Sequence, residues 1–143
     1  MLVTGLVLGA MMLCGCATSS GPKIAVLLPE KYNTPDGMVL GADGCIYLNI
    51  PNYNNDAYDA KVLVISPKNK ISEVVTLPRH PETGKCGPLG IDIGPDGNLY
   101  IADNQSMCGF DDYKSRLLRV NMKDGRAVDV EVLVNGFIQA NAV

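Results

Sequence analysis

The sequence predicts an all-β protein built as a partial β-propeller, with about two four-stranded blades and the start of a third. The first observation is an internal repeat, because residues 34–52 (TPDGMVLGADGCIYLNIPN) share their plan with residues 87–105 (GPLGIDIGPDGNLYIADNQ). The second is that two further short apolar runs follow each copy. Four strand-like runs in every 50 residues, roughly, are typical of a propeller blade.

Each copy of the repeat predicts two short strands joined by a turn. The shared residues keep the same spacing: Pro35, Gly37, Gly41, Asp43, Gly44 and Tyr47 correspond to Pro88, Gly90, Gly94, Asp96, Gly97 and Tyr100. The Asp-Gly pair supplies the positive φ angles that a tight hairpin needs. The apolar runs beside it, residues 38–40 and 46–48 in the first copy, are too short for helices and rich in β-forming residues.

The runs behind each copy complete the blades. Residues 61–65 and 71–77 follow the first copy, and residues 116–120 and 127–134 follow the second. We therefore place blade one at about residues 34–80, blade two at about residues 86–135 and the start of blade three at residues 136–143.

Composition and motifs exclude some classes of function. The chain is 47% hydrophobic with a net charge of −3, and its basic residues are scattered, so no nucleic-acid partner is expected. We find no Ser–His–Asp ordering, Cys-x-x-Cys pair or phosphate-binding glycine loop. The single histidine, His80, lies between two prolines, where a structural role is expected and catalysis is the alternative. No catalytic residue is predicted.

The first 16 residues have the pattern of an export signal. Residues 2–13 are apolar but shorter than the ~18 residues that span a bilayer. The following Cys14-Gly15-Cys16 resembles a bacterial lipobox, which predicts a signal peptide over residues 1–15, lipidation of Cys16 and a tether over residues 16–33. The protein is then a bacterial cell-envelope lipoprotein that meets the membrane only through its lipid anchor. The alternative is an ordinary cleaved signal peptide.

Three further cysteines meet an oxidising compartment if the protein is exported. Cys86 precedes the first strand of the second repeat and Cys108 follows its second strand, so both lie at the same end of the sheet. We therefore expect a disulfide between Cys86 and Cys108, with Cys45 free and buried at the other end. Three free thiols are the alternative.

The long connections between second and third strands, residues 49–60 and 104–115, lie on one face of a propeller. They are rich in Asn, Asp and aromatic residues, which indicates a binding rim for a small molecule. The candidate rim residues are Asn52, Tyr53, Asp103, Asn104 and Tyr113. The alternative is that these are solvated loops in which Asn and Asp make turns.

The first residue of each innermost strand faces the channel mouth. These positions are Asp36, Leu89 and Asn141, which we call the blade-start column. A carboxylate and an amide carbonyl are hard oxygen donors that suit Ca²⁺, so Asp36 and Asn141 are candidate ligands of one divalent cation. The alternative is that both side chains cap strand ends.

Residues 34–48, 87–104 and 137–143 together resemble the senescence marker protein–gluconolactonase family of six-bladed propellers, with similarity to the strictosidine-synthase-like group. In gluconolactonase-type members, a Glu before Gly in the first blade and an Asn opening the third help to hold a divalent cation. Asp36 and Asn141 match these positions, with Asp in place of Glu. The resemblance implies a cation-dependent lactone or ester hydrolase with a lactone or sugar-like substrate. A non-enzymatic propeller that binds a small molecule, glycan or protein is the alternative.

The length of the chain accommodates about two blades, whereas closed propellers have four to eight. We expect it to be the N-terminal part of a longer protein, inactive by itself. The alternative is a short chain that closes a ring by forming an oligomer.

Overall fold

The computed structural model describes residues 21–110 and 113–143, which form two four-stranded antiparallel sheets. The first sheet has the order β1-β2-β3-β4 and the second β5-β6-β7-β8, so the predicted all-β fold of two four-stranded blades is confirmed. A 3₁₀ turn at Ser106–Cys108 interrupts the second. The strands are β1 Met38–Leu40, β2 Ile46–Ile50, β3 Lys61–Ile65, β4 Ile71–Thr76, β5 Pro88–Ile93, β6 Leu99–Asp103, β7 Ser115–Lys123 and β8 Arg126–Phe137.

The predicted signal peptide and the lipidation at Cys16 lie outside the described residues. Within them, no helix has the length and apolar character needed to cross a membrane. The strand β8 reaches two residues into the segment predicted to start a third blade.

The two repeat turns have the same hydrogen bonds, although not through the backbone angles that we expected. Only the glycine of each Asp-Gly pair has a positive φ, at 77° in Gly44 and 78° in Gly97. The aspartate instead accepts a hydrogen bond from the backbone two residues later: Asp43 from the Cys45 N–H and Asp96 from the Asn98 N–H. A tight turn with two positive φ angles does occur between β7 and β8, at Asp124-Gly125.

The main core lies between the two sheets. Its buried side chains come from the facing strands of both sheets and from the segment that joins them, namely Ala60, Val62, Leu77, Cys86, Ile91, Leu99, Ile101, Leu118 and Val120. A second cluster covers the other face of the first sheet, where Tyr32 packs on Leu48, Ile50 and Leu63. The Tyr32 hydroxyl also donates to Glu73 Oε1 over 2.6 Å, so the segment before β1 is held against the blade.

Backbone hydrogen bonds connect neighbouring positions of the blade-start column, from one blade to the next. The Gly37 N–H donates to the Leu89 carbonyl over 3.1 Å, and the Gly90 N–H donates to the Asn141 carbonyl over 2.9 Å. A Cβ on Gly37 would lie 2.2 Å from the Leu89 carbonyl oxygen, and one on Gly90 would lie 2.7 Å from that of Asn141. Both positions therefore require glycine, because the two backbones approach closely. The same contact, which we call the joint between blades, occurs at Gly37–Leu89 and again at Gly90–Asn141.

Candidate functional site

An open cleft of about 300 Å³ lies where the loops of the two blades meet. Its walls come from residues in the segments 51–60, 79–86 and 107–108. These are the β2–β3 connection, the link between the sheets and the 3₁₀ turn after β6. Antiparallel order places all three connections at one end of the sheets, where their residues form a concave surface. We call this surface the interblade cleft.

Two ion pairs stand at the mouth of the interblade cleft. The Arg79 guanidinium contacts Asp59 Oδ1 at 2.8 Å through Nε and 2.7 Å through a terminal nitrogen, and Lys85 pairs with Asp56. A hydrogen bond from Lys85 lowers the pKa of Asp56, so this carboxylate stays ionised at neutral pH. Arg79 also donates to the Gly84 carbonyl, which fixes its position. The mouth thus presents donors and acceptors in adjacent pairs.

The base of the cleft holds Tyr53 and two cysteines. The Tyr53 hydroxyl is buried and has no hydrogen-bond partner among the described residues. Burial raises the pKa of Tyr53, and the nearby Cys108 and Asp36 add to the effect. The phenol is therefore neutral at physiological pH and lies between the cleft and the first blade-start position.

The predicted disulfide is not formed, because Cys86 and Cys108 are both free thiols in this structure. Their thiols face different oxygen atoms: Cys108 Sγ contacts the Asn104 carbonyl at 3.7 Å, whereas Cys86 interacts with the Asp103 carboxylate. Burial raises the pKa of Cys86 and brings that of Cys108 to about 11, so both are thiols at neutral pH. Cys45 is free as expected but half-buried rather than buried.

Three of the five predicted rim residues are buried inside the protein: Asn52, Asp103 and Asn104. Asp103 has no exposed surface and accepts hydrogen bonds from the Gly87 N–H at 2.7 Å and from Gln105 Nε2 at 2.8 Å. Arg116, itself only 2% exposed, binds the other oxygen of Asp103 at 2.6 Å through Nε. Asn104 accepts from the Met107 N–H and holds the 3₁₀ turn. The side chains of Asp103 and Asn104 therefore hold the backbone of the rim in place from inside the protein.

Three of the five rim residues line a concave region, although Asn52 is itself only 2% exposed. Asn52 and Tyr53 line the interblade cleft, and Asn52 is also held by hydrogen bonds to the Asn33 N–H and the Asp59 carbonyl. Tyr113 is exposed and lines a separate depression of about 390 Å³ together with His80. The predicted rim therefore divides into two concave regions.

His80 is placed as a structural residue. It is buried, and its Nδ1 accepts from the Glu82 N–H at 3.1 Å. Burial and then the charge of Arg116 lower the pKa of His80, so the ring is neutral at physiological pH. Its contacts stabilise the link between the blades.

The candidate cation ligands Asp36 and Asn141 are both exposed, at the two ends of the blade-start column. Leu89 lies buried between them. Among the described residues, no group of three or more His, Cys, Asp or Glu side chains is arranged to hold a metal ion. Asp36 and Asn141 fit a hard cation by their chemistry, but they are two donors where Ca²⁺ takes six to eight.

Asn49 supports this column and was not predicted to do so. It is fully buried on β2, and its Nδ2 donates to the carbonyls of Leu89 at 2.8 Å and Gly90 at 3.3 Å. Its Oδ1 has no hydrogen-bond partner among the residues described. The signal available in the sequence is an amide in an apolar strand where the second repeat has Ala102.

Arg79 and Lys85 were also not predicted as site residues, because single basic residues in a linker carry no pattern.

No family model matches the sequence, and no curated protein matches it. Among solved structures, the chain resembles a structural-genomics crystal structure of a provisionally assigned gluconolactonase, with 19% identity and a TM-score of 0.46. The match covers 71% of this chain and 33% of that one, so the chain spans about a third of its length. The assignment of two blades rests on the two sheets themselves.

Proposed function

We propose that this chain forms the first blades of a divalent-cation-dependent lactone or ester hydrolase of the gluconolactonase type. The observation that supports the proposal is the sideways bonding of the blade-start column, from Gly37 to Leu89 and from Gly90 to Asn141. It keeps Asp36 and Asn141 at equivalent positions, at the starts of the first and third blades with Leu89 between them, where the sequence resemblance implies cation ligands.

Asp36 would bind the cation through its carboxylate and Asn141 through its amide oxygen. When bound, such a cation polarises a carbonyl group and orients water. Asn49 holds the backbone of Leu89 and Gly90, and so fixes the spacing of the column. The remaining oxygen ligands would come from further blades or from water, since the cation prefers six to eight.

The test is Ca²⁺ titration calorimetry on the monomeric 143-residue chain, beside an assay of lactone hydrolysis. We expect Ca²⁺ binding no tighter than about 0.1–1 mM, because a site with few protein ligands is weak, and no lactone turnover. The Asp36→Ala variant loses this binding. The control Glu30→Ala removes an exposed carboxylate away from the column and keeps it. Binding that is unaffected by Asp36→Ala would refute the assignment of the site.

A second candidate function is a non-enzymatic binding propeller of the cell envelope. The interblade cleft favours it, because this concave surface is formed within the chain itself. Ligand binding that persists after all divalent cations are chelated, with no hydrolysis in the full propeller, would identify this function.

We also propose export and lipid anchoring at Cys16, on the basis of the lipobox-like pattern. Expression in a bacterium supplied with labelled palmitate tests this. The wild-type chain should take up the label and enter the membrane fraction, whereas Cys16→Ser should do neither. Label that remains on the Cys16→Ser variant would contradict the proposed anchor.

A further inference from the structure

We propose that the interblade cleft is a binding site for a neutral polyhydroxylated ring, such as a single unmodified monosaccharide. This site is separate from the blade-start column and needs no cation. It goes beyond the proposed hydrolase function, and it can hold or fail independently of it.

The size of the cleft sets the scale of the ligand. Its volume of about 300 Å³ is at the lower end of the range for small-molecule clefts. The cleft is open on one side, so a ring at the end of a longer glycan could enter as well as a free sugar. One ring is therefore the unit that the cleft can bind.

The charges of the cleft favour a neutral ligand over an ion. Within the described part of the chain, the charged lining residues are Asp56, Asp59, Arg79 and Lys85. They form two internal ion pairs, Arg79 with Asp59 and Lys85 with Asp56, and their formal charges cancel. An anionic or cationic ligand would have to compete with one of these pairs. A hydroxyl group can instead accept from the basic partner and donate to the acidic partner while both pairs stay intact.

Several of the other lining residues supply an apolar surface next to these polar pairs. Tyr58 is 38% exposed, and Tyr53 lies deeper in the cleft. Pro51, Ala60 and Met107 complete the apolar part. A sugar ring has C–H groups on its faces and hydroxyl groups around its edge, so it matches apolar contact on one side and paired donors and acceptors on the other. Tyrosine suits such a role because its ring is apolar and its hydroxyl is polar.

The experiment compares three sugar rings of similar size and different charge: glucose, glucuronate and glucosamine. The chain contains six tyrosines and no tryptophan, so tyrosine fluorescence is read without interference from indole, and Tyr53 and Tyr58 are two of the six emitters. The titrations are done in the presence of a chelator. We expect glucose to bind at millimolar concentration and the two charged compounds to bind about tenfold more weakly. Equal or tighter binding of either charged compound, or no glucose binding by the folded chain, overturns the proposal.

Charge variants make the test specific to this cleft. Lys85→Met leaves the cleft one negative charge in excess and should shift preference towards glucosamine. Asp56→Asn leaves one positive charge in excess and should shift preference towards glucuronate. The matched control is Glu82→Gln, which breaks the exposed pair with Lys114 on the same linker but outside the cleft. This control should bind like the wild type.

The far-ultraviolet circular dichroism and urea midpoint of each variant show whether it is folded. If Lys85→Met does not fold, Asp56→Asn alone decides the outcome. Folded charge variants that keep the wild-type order of ligand preference would overturn the proposal. Because chelation removes the cation site from the measurement, failure of glucose binding leaves the proposed hydrolase function untouched. Ca²⁺ binding that persists in Asp36→Ala would refute the cation site and would leave the cleft proposal untouched.

Discussion

The buried pair of Asp103 and Arg116 should dominate the stability of the second blade. Asp103 has no exposed surface, Arg116 is 2% exposed, and the guanidinium also donates to the Pro78 carbonyl in the linker. Removal of one partner leaves a buried charge uncompensated, which costs about 3–5 kcal/mol. Total stabilities of small domains are about 5–15 kcal/mol. We therefore expect Asp103→Asn to lose about a fifth or more of the free energy of unfolding.

The two single variants should not be equal. After Arg116→Met, the Asp103 carboxylate still accepts from Gly87 and Gln105, so part of its charge remains solvated by the protein. After Asp103→Asn, the Arg116 guanidinium stays buried with no carboxylate opposite it, and only neutral acceptors such as the Pro78 carbonyl remain. The loss should therefore be larger for Asp103→Asn.

The assay is urea unfolding of the wild type, both single variants and the double variant. The double variant should cost less than the sum of the singles, because two members of one buried pair are coupled. The control Glu82→Gln, at an exposed pair, should change the free energy of unfolding by less than about 1 kcal/mol. Additive effects, or single losses as small as that of the control, would refute the reasoning.

Two further predictions concern the joint between the blades and the response to acid. Gly37→Ala and Gly90→Ala should each lower the urea midpoint, because the new Cβ would meet a carbonyl oxygen of the neighbouring blade at 2.2 or 2.7 Å. The control Gly21→Ala should leave the midpoint unchanged, because a Cβ there has nothing within 4 Å. An unchanged midpoint in both Gly37→Ala and Gly90→Ala would contradict the close approach of the backbones. Hydrogen bonds from Tyr32, and then from Lys61 and Lys31, lower the pKa of Glu73 from its ordinary 4.5. The stabilisation is therefore fully present above pH 4.5 and is lost as the pH falls through the lower value in the folded state. Tyr32→Phe should make the urea midpoint fall less steeply in this acid range, and an unchanged slope would argue against the Tyr32–Glu73 contact.

The strands could be predicted because each depends on local signals. Gly44 and Gly97 end up with positive φ, and the runs beside them form strands as their β-forming residues indicate. The prediction that the aspartates of the repeat turns have positive φ angles was wrong. Asp-Gly can form a turn with two positive φ angles, as at Asp124-Gly125, or a turn in which the aspartate side chain accepts a hydrogen bond from the backbone, as at Asp43 and Asp96. The choice depends on the number of residues between the paired strands, which is two at Asp124-Gly125 and five at residues 41–45.

The site could be predicted as a region but not as individual side chains. Asp103 and Asn52 were both predicted as rim residues, yet only Asn52 lines the cleft. The difference arises from Arg116, which lies on another strand and draws Asp103 into a buried pair. The ion pairs of the cleft were missed for the same reason, because Lys85 in the linker pairs with Asp56 in the β2–β3 connection, far away in the sequence. Pairings across distant segments leave no trace in local composition.

The order of the strands also bears on how the protein is made. Within the described residues, each sheet consists of consecutive strands, and neither borrows a strand from the other. Contacts between near neighbours in sequence form quickly, and domains emerging from the ribosome fold from the N-terminus. The first sheet can therefore close once residue 76 has left the exit tunnel. The Leu89 carbonyl can then accept a hydrogen bond from a Gly37 N–H that the first sheet already holds in place. Each folded blade therefore provides the surface on which the next blade docks.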